Sequence, residues 1–564
     1  MVEEYWKVPP PFPFFEMGEG GGGLFFGFVN RSAPGFPPRS GMHFGLYFYC
    51  LLYNQSMQRK YFTLLLALTL ILTSCSPDEL FGPTITPSQT ITPTFSTTLT
   101  ATPTTTPTVT PTPAPENLAD AKDLHVWIDD YVHAYGGKVT VNGVERDANQ
   151  LLGAVKANPG GFIERKTIKG SETLFFVVNG VPLGIQTDGA WRAILARDIA
   201  DAKNAQFAMP VLGFALDNQN YINILKNANR LFITWGLDAP VVFKDLTTDD
   251  WKSILRNWET IKTQLDSGQI PNGIPYNWWW GDKIIKFTQE NHMGLRAGSL
   301  VWNAGLPDSI YNGGFTKDEL LKLLEFMESV RVMKYKGVIS EWDAVDELVI
   351  SEGSSDKWGF WQRTVGLLDA TRLSARLIRK IDPDAKIVIT DDHELEERFC
   401  SDINGNFVCL QPDLGIRFLN FVKTLKQEGL VDRVDIENNM WIYDMPSQEY
   451  MENYLRQIQA LDIELAAPEL TVFSTETFPL WPFPRQKYTT VDDPLKAQAE
   501  GYRRVVQAYI NVGVFDIGLG DVGDETSSAD TFLPGSSPAL FDLQWKPKMG
   551  WYEILKVMYD GFVK

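Results

Sequence analysis

From residue 205 to residue 564 the chain alternates strand-like and helix-like stretches, and this rhythm restricts the fold more than any other feature of the sequence. Apolar and β-branched runs fall at 208–216, 230–235, 295–302, 337–345, 386–391, 433–438, 470–476 and 514–519. Amphipathic segments such as Lys317 to Tyr335 and Trp361 to Ile381 separate most of them. Eight strand–helix units over about 350 residues suit an α/β fold, the (β/α)8 TIM barrel. In such a barrel, catalytic groups gather at the C-terminal ends of the strands.

Residues 118–200 precede the barrel and read as a small α+β region. Lys138–Val141 and Thr173–Val178 are strand-like, Leu151 to Ala157 is helix-like, and Asn142-Gly143 and Asn179-Gly180 are hairpin-turn pairs. No catalytic constellation lies within it. Residues 76–117 form a linker whose Thr/Pro repeats run from Pro83 to Pro115. It carries almost no charge and too few large apolar residues for a core, so it is expected to be a disordered, extended spacer.

Residues 57–75 have the order of an export signal. Arg59 and Lys60 give a positive start, Tyr61 to Leu72 is apolar but short for a membrane span, and Leu72-Thr73-Ser74-Cys75 resembles a bacterial lipobox. Cleavage before a lipidated Cys75 would anchor an exported protein at the cell surface. The membrane is then a partner only through that lipid. Residues 1–56, with Pro9-Pro10-Pro11 and Gly20 to Gly23, do not read as a domain and are expected to be a mis-assigned upstream extension of a chain starting at Met57.

The formal net charge of −19 excludes nucleic acid as an expected partner, because such a surface repels phosphates. The 17 Trp, 19 Tyr and 34 Phe suit either sugar stacking or a core built of large residues. No Cys or His cluster has metal-binding spacing; no metal or organic cofactor is expected, and calcium binding stays open. Cys400 and Cys409 flank a hairpin-like stretch with a turn at Asn404-Gly405 and would suit a local disulfide in an exported protein. Asp402, Asn404 and Asn406 lack the terminal acid of a calcium loop.

Three runs carry a family resemblance. Lys334 to Glu347 ends Trp342-Asp343-Ala344-Val345-Asp346-Glu347; Leu470 to Glu476 is an apolar run ending Thr475-Glu476; and Arg296 to Asn303 reads Arg-Ala-Gly-Ser-Leu-Val-Trp-Asn. Asp282 to Asn291, Asp382 to Asp391, Gln498 to Tyr509 and Lys546 to Glu553 fit around them in register. Together they resemble glycoside hydrolase family 10, the xylanase family, over residues 205–564. The resemblance implies Glu347 as general acid/base and Glu476 as nucleophile of a retaining endo-β-1,4-glycanase. Physical chemistry asks for the same pair: one carboxylic acid to protonate the leaving oxygen, one carboxylate to face the anomeric carbon.

The resemblance stops short of the residues that grip the sugar. Asp346 stands where the family has Asn, and an ionised Asp can only accept a hydrogen bond. Gly298 and Asn303 replace two histidines, and the family's strand-six Gln and His are not recognisable around Glu437-Asn438-Asn439-Met440-Trp441. Substrate contacts are expected from Asp346, Trp302, Asn303, Asn439, Trp441, Trp235 and Trp481, with Trp278-Trp279-Trp280 as a further aromatic platform or as core. The expected partner is a β-linked polysaccharide or oligosaccharide. Three readings remain: a xylanase-like enzyme, a retaining glycosidase acting on a non-xylan β-glycan, and a barrel that binds polysaccharide without cutting it.

Overall fold

The computed structural model describes residues 117–563, apart from 397–399, 404–405, 410–412, 477–486 and 528–536; of residues 234, 235, 400–403 and 406–409 it describes the backbone alone. Cys75, the segments before residue 117 and Trp481 therefore lie outside the described residues.

Eight parallel strands close into one barrel: β1 (Phe207–Leu212), β2 (Arg230–Trp235), β3 (Gly294–Ala297), β4 (Glu341–Val345), β5 (Lys386–Asp392), β6 (Arg433–Trp441), β7 (Glu464–Phe473) and β8 (Ile517–Leu519). Each pairs with its neighbours in chain order, and β8 closes on β1 through Ile517–Phe207 and Gly518–Ala208. This is the TIM barrel that the alternation predicts.

The helices between strands form for local reasons. Before Lys317–Lys334, Thr316 and Glu319 cap each other reciprocally; Asp318 and Glu319 sit at the positive end of the helix, and Arg331 and Lys334 at the negative end. Its buried face carries Leu320, Leu323, Leu324 and Met327. Leu367–Ile381 starts after Gly366, whose φ of 105° lets the chain turn in, and stops at Asp382-Pro383.

Strand ends differ from the sequence expectation where backbone geometry overrides apolar content. β3 ends at Ala297 rather than near Trp302, and Val301 then only bridges to Val345. β4 begins at Glu341, after a bend in which Gly337 has a φ of 72°. The largest difference is in β7, expected at 470–476 and found at Glu464–Phe473. Its partner β6 sets the register by pairing Arg433 with Glu464, so the strand begins well before the apolar run.

The region before the barrel is a four-stranded antiparallel sheet (Ile163–Ile168, Ser171–Val178, Val181–Thr187, Ala190–Ala193) with a separate hairpin, Val139–Val141 and Val144–Arg146. Asn142-Gly143 and Asn179-Gly180 both have positive φ, the backbone that two-residue hairpins require. This region packs on the last barrel helix, Met549–Phe562. Tyr131 meets Tyr552 edge-on at 5.3 Å, Phe175 meets Tyr559 at 5.0 Å, and Tyr135 donates to Glu553 at 2.8 Å.

Cys400–Ile403 and Asn406–Cys409 pair antiparallel, with Cys400 opposite Cys409. Their side chains are outside the described parts.

Candidate active site

The barrel interior is lined with charge. Near the strand starts, Glu341 pairs with Arg230 at 2.8 Å and with Arg433 at 3.2 Å. One layer higher, Arg296 pairs with Asp343 at 2.5 Å and also with Asp435, while Thr390 donates to Asp343 at 2.6 Å. Burial works against the Arg296 charge, but Asp343 and Asp435 outweigh it and hold its pKa up. These cations are committed to that layer.

Above them, toward the C-terminal ends of the strands, lies a group of carboxylates: Asp346 and Glu347 after β4, Asp392 at the end of β5, Glu437 on β6 and Glu469 on β7. Asp392 and Glu437 are direct partners across β5 and β6. One carboxylate oxygen each from Glu347, Asp392 and Glu437 lie within 4.8 Å of one another.

Glu347 reaches this place through an unusual backbone. Its φ is 52°, in the left-handed region that non-glycine residues rarely enter, and its amide donates to the Thr390 carbonyl at 3.3 Å. Such conformations persist only where the surroundings enforce them, and they concentrate at functional sites. The Trp302 indole N–H donates to Glu347 Oε2. Burial pushes the Glu347 pKa well above the usual carboxylate range, and the Asp392 charge adds to this; the Trp302 bond opposes, while Asp391 and Glu469 push further up. A carboxyl that keeps its proton is what a general acid requires.

Glu469 is delivered by a bulge. Between Ala466 and Leu470 the β7 chain holds one residue more than β6 opposite it, and between Ala467 and Leu470 one more than β8. Pro468 sits in that bulge, where a missing N–H costs no ladder bond. The bulged backbone presses on β8 so closely that a Cβ at Gly518 would lie 2.1 Å from the Pro468 carbonyl oxygen. Burial raises the Glu469 pKa well above normal; Asp346 adds to this, Arg296 opposes, and Asp392 and Asp521 push further up. Glu437 behaves alike, raised by burial and then by Glu469, Asp346, Glu347 and Asp392. The Glu469 charge acts on both Glu347 and Glu437.

The structure brings together some of the expected residues and separates others. Asp346 is buried beside Glu347; Ser299 donates to its Oδ2 at 2.8 Å, and burial followed by the Glu347 charge raises its pKa. Asn439 is half-buried and donates to Asp392 at 3.0 Å, so it orients a carboxylate of the group. Trp302 is at the site, as the donor to Glu347. Glu476 is not in this group. It lies three residues beyond the end of β7 with 76% of its side chain exposed, accepts from the Tyr443 hydroxyl at 2.7 Å and pairs with Lys487.

Asn303 is a cross-link within the protein. It is buried, donates to Ser351 at 3.0 Å and Gln362 at 3.1 Å, and accepts from the Trp361 amide at 3.0 Å. Trp441 is also buried; it donates to the Thr475 carbonyl at 2.8 Å and packs on Tyr443. Both have their polar atoms spent on the protein rather than turned to the cleft. The side chain of Trp235 is outside the described parts. Trp278 stacks on Tyr276, whereas Trp279 is exposed and meets Trp280 edge-on.

Asp392, Glu437 and Glu469 were not singled out by sequence reasoning. A signal for Glu469 exists in the turn at Leu461-Asp462, where Asp462 has a φ of 56° and a strand begins two residues later. A strand starting after that turn, rather than one ending at the Thr475-Glu476 pair, has Glu469 within it.

A family model described as Glycosyl hydrolase family 10 matches residues 251–557, which include all five carboxylates. Endo-1,4-beta-xylanase B of Thermotoga neapolitana is 27% identical over 308 residues, covering 54% of this chain and 78% of that protein. Endo-1,4-beta-xylanase of Agaricus bisporus is 25% identical over 276 residues, covering 48% and 72%. Among solved structures, Penicillium canescens endo-1,4-beta-xylanase XylE shares the fold with a TM-score of 0.50 at 17% identity, over 65% of this chain and 98% of that one. With a (β/α)8 barrel, acidic side chains at its C-terminal mouth and more than half of its length matched by one family model, the chain is a glycoside hydrolase and belongs to glycosyl hydrolase family 10.

Proposed function

We propose that the protein cleaves a β-1,4-linked glycan with retention of configuration, using Glu347 as acid/base and Glu469 as nucleophile. The observation that supports this reading is that one glutamate follows β4 and the other lies on β7, with the charge of Glu469 felt at Glu347. In the first step, Glu347 gives its proton to the leaving oxygen while Glu469, in its ionised form, bonds to the anomeric carbon; both pKa values are raised, so the productive state is the one in which the pair shares a single proton. In the second, Glu347 takes a proton from water, which displaces Glu469. The two glutamates influence each other's charge, so their protons titrate as a property of the pair.

Xylan is the first substrate to test, because the similar proteins named above are xylanases. A second reading, a different neutral β-glycan, is favoured by the side chains around the cleft. Asp346, Asp392 and Glu437 crowd it with carboxyl groups, and an acidic decoration on the sugar chain would add to the mutual repulsion that already raises Asp346 and Glu437. Reducing-sugar release from neutral xylan, glucuronate-bearing xylan, β-glucan and mannan separates the two. Glu469→Gln and Glu476→Gln are the paired controls. Release that persists in Glu469→Gln and vanishes in Glu476→Gln would return the nucleophile to the residue expected from the sequence motif. No release from any glycan, with binding retained, would favour a non-catalytic barrel.

The proposed site of action is outside the cell, with the chain anchored through a lipid on Cys75 and carried on the Thr/Pro segment. Membrane-fraction release by Cys75→Ala tests this; unchanged partitioning would reject it.

A further inference from the structure

Exposed aromatic side chains are confined to one end of the barrel. Among the described residues they are Phe214, Trp279 and Tyr488. Phe214 lies two residues past the end of β1. Trp279 opens the helix Trp279–Glu290, which runs down to the start of β3. The Tyr488 amide donates at 2.9 Å to the carbonyl of Tyr443, two residues past β6. All three therefore stand at the end where the strands finish and the carboxylates gather.

Phe214 and Trp279 share a support. Both rings meet Trp280 edge-on, at 6.3 and 4.2 Å. Trp280 is half-buried and wedged between the ends of β1 and β2. A Cβ at Gly213 would lie 2.5 Å from its ring, and one at Gly236 would lie 3.3 Å from its own Cβ. Lys283, one turn further along the helix, lies 5.4 Å from the centre of the Trp279 ring and pairs with Asp217 at 2.9 Å.

We propose that Phe214 and Trp279 form a sugar-binding subsite, outside the carboxylate group, that holds a neutral pyranose of the same glycan chain that enters the cleft. The identity of the occupant rests on the glycan-cleaving reading given above.

The chemistry of the platform matches that occupant. A β-linked pyranose has an apolar C–H face and a rim of hydroxyls. The two rings can take the face. Lys283 and Asp217 stand beside them as a donor and an acceptor for the rim. Their charges cancel, so the platform has no local excess charge to favour an ionised sugar. Size argues against a protein occupant. Phe214 is 47% exposed and Trp279 58%, so together they offer no more than about 300 Å². A stable protein interface needs about 800 Å² on each side. Single exposed apolar residues are ordinary, but two rings seated on one wedged tryptophan are held in place before any ligand arrives, which lowers the cost of binding. A chain held both there and at the carboxylates is cut away from its ends, and longer chains are better substrates.

The test measures kcat and KM of the full chain on neutral xylo-, cello- and manno-oligosaccharides of three and six units. Calorimetry follows binding of the six-unit sugars to Glu469→Gln, with and without the platform changes. Trp279→Ala and Phe214→Ala should each lower the preference for six units over three by about tenfold, through KM rather than kcat, and weaken six-unit binding by about the same factor. Trp279→Phe, which keeps a ring, should recover part of the loss. Val338→Ala, at an exposed side chain before the start of β4, should leave the preference as it is. Circular dichroism checks the fold of each variant. An unchanged preference and unchanged six-unit binding in the folded alanine variants would overturn the subsite and leave the hydrolytic reading standing. Six-unit binding weakened by those variants in a protein that cuts nothing would support the subsite and count against hydrolysis. No binding of any six-unit sugar would overturn both. Concentration-dependent sedimentation that Trp279→Ala abolishes would give the platform to a second copy of the chain and overturn the sugar assignment.

Discussion

Trp302, just beyond β3, donates its indole N–H to the carboxylate of Glu347, just beyond β4. This bond favours the ionised form of a group that burial and neighbouring charges drive toward the protonated form. Trp302→Phe removes the donor while keeping an aromatic ring. The Glu347 pKa should then rise further, and the alkaline limb of the kcat/KM profile should move to higher pH. Loss of orientation should lower kcat at the optimum by about tenfold or more, within the range of general acid–base contributions. A limb that stays in place or moves to lower pH would contradict the role given to this bond.

Replacing the proposed nucleophile should be far more damaging than replacing the glutamate seven residues later. Glu469→Gln should abolish glycan hydrolysis, whereas Glu476→Gln, at an exposed side chain held by Tyr443 and Lys487, should stay within about tenfold of the unaltered enzyme. Glu347→Gln should reduce kcat by about 10²–10⁴ on substrates with poor leaving groups, where protonation matters most. Steady-state kinetics on one glycan and one activated aryl glycoside distinguish these effects.

Asn303 should matter for stability more than for substrate affinity. Asn303→Ala leaves Ser351, Gln362 and the Trp361 amide without their shared partner in a buried setting. A loss of about 1–3 kcal/mol is expected from chemical denaturation, with KM little changed. A large KM effect with unchanged stability would instead place Asn303 on the sugar.

The barrel was legible because alternating strand and helix patterns survive sequence divergence, and because Trp342 to Glu347 is a continuous motif on one strand. The carboxylate group was not legible as a group. Its members come from four different strands, so no linear spacing relates Asp392, Glu437 and Glu469. The β7 error has a specific cause. The apolar run Leu470 to Phe473 and the Thr475-Glu476 pair look like a complete strand, while Pro468 reads as a strand breaker. In the fold Pro468 is tolerated within a bulge, and that same bulge turns Glu469 into the cleft. Asn303 and Trp441 illustrate another limit, because their polar atoms meet protein groups. Polar and aromatic residues near strand ends have the chemistry to hold sugars, and burial alone reveals that the protein already uses it.

A buried acid away from the cleft should make stability depend on pH. Glu328, on the helix Lys317–Lys334, is fully buried, and burial pushes its pKa from the usual 4.5 up to about 8, with Arg331 opposing. Because the folded-state pKa is raised, its favourable contribution is complete below about pH 4.5 and is lost as pH rises through about 8. Glu328→Gln should remove this part of the decline. Tm measured across that range should fall less steeply for the variant than for the unaltered chain; parallel curves would contradict the assignment.

The helix Met549–Phe562 has a consequence for how such enzymes can be inherited. One side closes the barrel, and the other receives Tyr131, Tyr135 and Phe175 from the region that precedes β1. A recombination event that moved only the catalytic barrel into another gene would strip Tyr552 and Tyr559 of their cover and leave a sticky aromatic strip on the transplant. The unit that can travel between genomes therefore starts near Leu118, and the small sheet should be found wherever this version of the closing helix keeps its tyrosines.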